Sequence, residues 1–249
     1  MQENEYVGKL FKSNKYGEVL VIDYENSSKV KIKFLNTNSV KTVKLCHLKI
    51  GNVKDNFART TYGVGYLGDG FDLGSQVLND KAFKLWSHML ERCYSPKYKI
   101  TRPTYLECHS SENFKCLTYF KQWCASQKGF TEEGFVLDKD ILIKGNKKYS
   151  EDTCCFVPVE LNNLFTLNKA KRGELPIGVH TSKSKSKYLA RLGGKSGKTI
   201  GTFDDVDSAF TAYKLAKECK IKERALFWKD KISDRVFDAL MKANIEITD

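Results

Sequence analysis

The sequence holds no apolar run of about 18 residues, so no membrane span is expected. It opens on Met-Gln-Glu-Asn-Glu-Tyr, polar and acidic, with no apolar stretch behind it. That is not a signal peptide, and the expected location is the cytoplasm. None of the eight cysteines (Cys46, Cys93, Cys108, Cys116, Cys124, Cys154, Cys155 and Cys219) pairs as Cys-x-x-Cys. Cys108, His109 and Cys116 can be read as part of a zinc site, but their spacing is poor, and Cys116 and Cys124 fit the apolar face of a helix. Buried free thiols are expected, and structural zinc is not. The stretch Gly63-Val64-Gly65-Tyr66-Leu67-Gly68 lacks the Gly-Lys-Ser/Thr ending of a phosphate loop and reads as a turn-rich linker. Acid is also short: 30 Asp and Glu stand against 42 Lys and Arg, a net charge of +12 over 249 residues.

What is present is enough to fold. The hydrophobic fraction of 41% and aromatic fraction of 12% supply real cores and exclude global disorder. The basic excess, with a pI near 9.2, points to a polyanionic partner, because each neutralised phosphate releases condensed counterions.

The expected class is α+β, in four stretches. Residues 1–60 carry four runs with apolar residues at every second position, which predicts a small antiparallel barrel or meander, with Lys29, Lys31, Lys33, Lys41 and Lys44 projecting from its strands. Residues 61–79 are a glycine-rich linker. Residues 80–168 begin with a helix capped by Asn79 or Asp80, whose apolar face holds Ala82, Phe83, Leu85, Trp86, Met89, Leu90 and Cys93. A second helix, about Glu112–Gln127, places Phe114, Leu117, Phe120, Trp123 and Cys124 in the core. Residues 169–249 form a basic three-stranded sheet plus helix. The helix face is Val206, Ala209, Phe210, Tyr213 and Leu215, and one or two packing helices and a short Ile-Glu-Ile strand follow.

Within the third stretch, Phe135-Val136-Leu137-Asp138-Lys139-Asp140-Ile141 is followed by Lys144-Gly145-Asn146, then Cys154-Cys155-Phe156-Val157-Pro158 and Glu160-Leu161-Asn162-Asn163-Leu164. Strand, Gly-Asn turn, strand and Asn-bearing helix together resemble the ββα-metal finger of HNH nucleases. The resemblance implies a divalent magnesium or manganese ion held by Asp138 and by Asn162 or Asn163, with Asn146 in the loop that orients the site. Lys139 stands where that family has its general-base histidine. A lysine, with a reference pKa of about 10.4, needs large desolvation to act as a base at neutral pH. The site is therefore either degenerate or takes its base elsewhere, for example from His109. Asp140, next in sequence, is expected on the opposite strand face. A plainer alternative has Asp138 and Asp140 flanking a buried strand and pairing with nearby lysines.

In the fourth stretch, Ile177-Gly178-Val179-His180, Tyr188-Leu189-Ala190-Arg191-Leu192, Thr199-Ile200-Gly201-Thr202-Phe203 and Ala209-Phe210-Thr211-Ala212-Tyr213 follow in order. This pattern resembles an APETALA2-type DNA-binding domain. Between Lys183 and Lys198 the charged residues are Lys183, Lys185, Lys187, Arg191, Lys195 and Lys198, with no acid among them. On a strand pair they form a stripe suited to the major groove of double-stranded DNA, lysines on phosphates and Arg191 on guanine. Gly65-Tyr66-Leu67-Gly68, Trp86-x-x-Met89-Leu90-x-Arg92-Cys93-Tyr94 and Leu137-Asp138-Lys139-Asp140-Ile141 extend the likeness to bacteriophage homing-type endonucleases. The resemblance implies either metal-dependent DNA cleavage or a non-cleaving descendant that binds DNA or a host protein as a regulatory or counter-defence factor.

Overall fold

The computed structural model describes residues 5–70, 80–165, 174–184, 186–193 and 197–249. In chain order the elements are β1 (Leu10–Ser13), β2 (Gly17–Asn26), β3 (Lys29–Phe34), β4 (Val40–Val43), α1 (Leu45–Lys49), α2 (Lys81–Tyr94), α3 (Pro96–Thr101), β5 (His109–Ser110), α4 (Leu117–Ser126), β6 (Phe135–Asp138), β7 (Lys148–Tyr149), β8 (Cys155–Pro158), α5 (Val159–Leu164), β9 (Val179–Thr181), β10 (Tyr188–Leu192), β11 (Lys198–Phe203), α6 (Val206–Phe227) and α7 (Asp234–Met241). The class is α+β. The chain divides into two compact units, residues 1–124 with 147–150, and residues 125–146 with 151–249. Among the described residues no helix is long and apolar enough to cross a membrane.

In the first unit, β1 to β4 form an antiparallel meander in sequence order, an open sheet rather than a closed barrel. Alternation places Val19, Val21, Val30, Ile32 and Phe34 on its inner face, where Leu45 and Leu48 of α1 and Val53 complete the core. Lys29, Lys31 and Lys44 project as expected, whereas Lys33 and Lys41 are partly covered. The turn between β1 and β2 closes at Gly17, whose φ of +82° is open to glycine at little cost.

Asp80 caps α2 by accepting the Ala82 N–H at 2.8 Å. Ala82, Trp86, Met89, Leu90 and Cys93 recur at helical spacing and are buried. The motif Trp86 to Tyr94 goes into packing: the Trp86 indole N–H donates to the Phe114 carbonyl at 2.9 Å, and Tyr94 and Ser110 share a hydroxyl bond at 3.1 Å. Gly65 lies against Leu90 and Trp86, where an added Cβ would fall within 3.0 Å of both. The second predicted helix is shorter than its apolar spacing suggests. A 3-10 turn covers Asn113–Lys115 and α4 begins only at Leu117, leaving Cys116 half-buried ahead of it. None of the eight cysteines is in a disulfide, but Cys46 and Cys219 are exposed, against the expectation of burial.

In the second unit, β6 and β8 pair antiparallel, Phe135 with Pro158 through Asp138 with Cys155, and α5 packs on both strands. The three-stranded antiparallel sheet has the order β11-β10-β9, with α6 across it. Ala190 and Ala209 are fully buried, so helix and sheet approach closely. Gly178 sits under Tyr213 at a φ of +78°, and a Cβ there would fall 2.1 Å from the ring. Two expectations fail here. Leu215 is 63% exposed, because it lies about 200° around the helix from buried Tyr213. The Ile-Glu-Ile strand does not form: Ile245 is buried, Ile247 is exposed, and a terminal turn closes between Glu246 and Asp249.

Candidate functional site

The first candidate is the strand–strand–helix formed by β6, β8 and α5. Asp138 ends β6, and its Oδ1 accepts the backbone N–H groups of Asp140 and Ile141, each at 2.7 Å. The carboxylate therefore stops the strand with a local turn. Burial pushes the Asp138 carboxyl above the usual carboxylate range, while those two N–H groups pull it back. Because the strand ends at Asp138, Asp140 stands in the bend beyond it and not on an opposite strand face.

Lys139 is buried, at 7% exposure. Its Nζ donates to both carboxylate oxygens of Asp140 and to the Asn146 carbonyl, all at 2.7 Å. Asn146 answers with its Nδ2 on the Lys139 carbonyl at 2.8 Å. These reciprocal bonds close the loop from 139 to 146. The Lys139 Nζ is thus enclosed by three protein oxygens, and its donors go to the loop rather than to a water. On α5, Asn162 is half-buried and Asn163 exposed. His109 belongs to the first unit, on β5, with its Nδ1 3.2 Å from the Glu107 carbonyl. Asp138, Lys139 and Asn146 are therefore brought together, Asn162 and Asn163 lie on α5, which leaves β8 at the Phe135 end of the strand pair, and His109 lies in the other unit. Among the described residues no three His, Cys, Asp or Glu side chains gather as a ligand set.

The second candidate is the hairpin of β10 and β11. Tyr188 pairs with Phe203, Leu189 with Thr202 and Ala190 with Gly201; a bulge then shifts the register, so Arg191 pairs with Thr199 and Leu192 with Lys198. With Ala190 inward, Leu189 and Arg191 stand on the outer face. Arg191 Nε donates to the Thr199 hydroxyl at 3.2 Å, which holds the guanidinium along the sheet. Lys183 and Lys198 are exposed. Lys187 differs from them: its ammonium is paired with Asp204, an acid outside the basic stretch. Lys185 and Lys195 lie outside the described residues.

Two groupings escaped the sequence. Glu160 of α5 accepts from Arg224 and from the Trp228 indole, tying α5 to α6, and these bonds hold its carboxyl below the usual range. Arg235 of α7 donates to the carbonyls of Glu151 and Cys154 and so braces the approach to β8. Neither has a local signal, since each partner lies more than 60 residues away. No protein-family model, curated protein or solved structure matches the chain.

Proposed function

We propose that the chain is a double-stranded-DNA-binding protein that grips the duplex with the outer side of β10 and β11, on the plan of an APETALA2-type domain. The observation that carries this reading is the hairpin's charge. Lys183, in the turn between β9 and β10, and Lys198, at the start of β11, are exposed and form no ion pair among the described residues, and Arg191 stands on the outer face of β10, the sheet's other face being covered by α6. Side chains on a narrow strand pair fit the major groove, where lysines meet phosphates and a guanidinium can meet the paired acceptors of guanine. The test is fluorescence anisotropy on duplex DNA over a range of salt. The triple variant Lys183→Ala, Arg191→Ala, Lys198→Ala is expected to bind at least about tenfold more weakly, with the salt slope reduced by about 0.9 for each phosphate no longer neutralised. Wild-type affinity and slope in a folded variant overturn the assignment.

The β6–β8–α5 unit supports an HNH-like nuclease of the phage homing type. Asp138 and Asn162 or Asn163 would hold magnesium or manganese, and the ion would stabilise the leaving oxygen of the cut strand. The donor set is thin, one carboxylate with one oxygen already committed to a turn. It fits magnesium, which commonly takes one or two carboxylates and fills its remaining positions with water and substrate phosphate.

One observation favours the second reading, binding without cleavage. With Nζ 2.7 Å from three protein oxygens, Lys139 is committed to the loop rather than offered as the base whose place it takes. A protein that neither cuts nor binds DNA would instead be a host-protein-binding factor.

A further inference from the structure

We propose that a cleft of about 420 Å³ on the N-terminal sheet binds a 5′-phosphorylated nucleotide, free or within a single strand, with Lys41 and Lys54 on the phosphate and Phe57 beside the base. This site lies in the first unit and does not rest on the DNA grip assigned to β10 and β11.

The walls are fixed from within. Asp55, 3% exposed, accepts the hydroxyls of Thr37 at 2.6 Å and Ser39 at 2.8 Å and the backbone N–H of Phe57 at 2.9 Å. One buried carboxylate therefore ties the β3–β4 turn to the segment that carries Lys54 and Phe57. Lys41 Nζ reaches the Lys54 carbonyl at 3.5 Å, which brings the two lysines to one mouth. Phe57 is held by stacking on Tyr66, ring centroids 5.9 Å apart.

The cations here are gathered, three lysines against the two carboxylates of Asp55 and Asp69. Burial holds the Lys54 ammonium below its ordinary range, and Lys41 and Lys15 push it the same way. Among the described residues none of these three lysines forms an ion pair, and the Asp55 carboxylate beside them is already occupied by three donors. Like charges held together in this way favour an anion, since a phosphate would relieve the repulsion between Lys41 and Lys54, the two lysines that line the cleft. The rest of the lining argues for more than a bare phosphate. Val40 and Phe57 give apolar surface, and Asp69, whose backbone carbonyl is pinned by the Thr118 hydroxyl at 3.1 Å, offers a carboxylate to sugar hydroxyls or an exocyclic amine. The volume lies within the range of small-ligand sites.

The test is a ¹⁵N–¹H NMR titration of the full chain with 5′-AMP, with adenosine as the phosphate-free arm and a 5′-phosphorylated thymidine octamer as the strand arm. AMP is expected to shift the amides of residues 39–41 and 54–57, with adenosine at least tenfold weaker. Lys41→Gln with Lys54→Gln should weaken AMP at least tenfold, while Lys31→Gln, on the outer face of the sheet, should not. An octamer binding tenfold or more above AMP identifies a strand as the source, and equal binding identifies free nucleotide. No shift at these amides, equal response to adenosine, or unchanged AMP binding in a folded double variant overturns the site.

Discussion

The lysines of the hairpin and the lysine of the β6 loop have the same side chain and opposite circumstances. Lys183 and Lys198 are exposed and pair with no acid among the described residues, whereas Lys139 is 7% exposed and donates to three acceptors. The free ammonium retains its whole charge for a partner in solution. The enclosed one has already exchanged water for protein oxygens, and its energy goes into holding a loop. In a basic protein it is therefore the unmatched charge, more than the number of lysines, that marks the binding surface.

The comparison is put under most strain by asking whether the enclosed side has chemistry at all. In a plasmid-nicking assay with magnesium or manganese, the nuclease reading expects Asp138→Ala to lower cleavage at least about a hundredfold. Asp138→Asn, which keeps an oxygen for the Asp140 and Ile141 N–H groups, should lower it comparably. The binding-only reading expects no metal-dependent cleavage from any of the three proteins, with duplex affinity intact. Full cleavage by a folded Asp138→Ala protein removes Asp138 from the site.

The next effect falls on stability. Lys139→Met keeps the aliphatic stem but leaves the Asp140 carboxylate and the Asn146 carbonyl without their donor. Asp140 is 46% exposed in its side chain, so water recovers part of the loss, and about 1–3 kcal/mol is expected in urea unfolding. DNA affinity should stay unchanged. If stability is unchanged and affinity falls, Lys139 belongs with the hairpin lysines.

The architecture was largely legible. Period-two runs locate the strands of the meander, and of the two alanines on the α6 face that allow a close approach to the sheet, Ala209 is fully buried and Ala212 half-buried. The strand–turn–strand–helix order around Asp138 was also readable. What escaped depends on partners distant in sequence or on angle around a helix. Lys187 reads as one more hairpin cation until Asp204 is brought beside it. Leu215 looks apolar and in phase but faces away from the sheet. Asp55 and Lys54 carry no motif, and only the folded turn at Thr37 and Ser39 shows why they matter. Periodicity encodes a face, whereas pairing is set by tertiary closure.

A smaller effect separates two lysines within the hairpin itself. Lys198→Ala removes an unpaired charge and should weaken duplex binding about threefold to tenfold, lowering the salt slope by about 0.9. Lys187→Ala removes a charge already opposed by Asp204 and should cost less in both. Equal losses, measured by anisotropy at matched salt, would show that DNA displaces Asp204 and that pairing in the free protein does not predict contact.

The smallest effect concerns the pH response of Asp138. Burial raises its carboxyl above the ordinary value, so the folded state holds the proton more tightly than the unfolded chain. Below about pH 4 both states are protonated and the group contributes nothing. As pH rises through the raised folded value, the unfolded carboxyl ionises more readily, and the contribution becomes destabilising. Asp138→Asn retains the turn's acceptor and cannot ionise. Its stability relative to wild type should therefore rise as pH climbs above about 4 and then level off, in urea unfolding at each pH, by less than the Lys139→Met loss. The opposite slope, with the variant losing ground as pH rises, would mean that attraction to the nearby Lys139 ammonium outweighs burial. Asp138 would then be a native carboxylate favoured by its surroundings, and the site a better host for a cation than its burial implies.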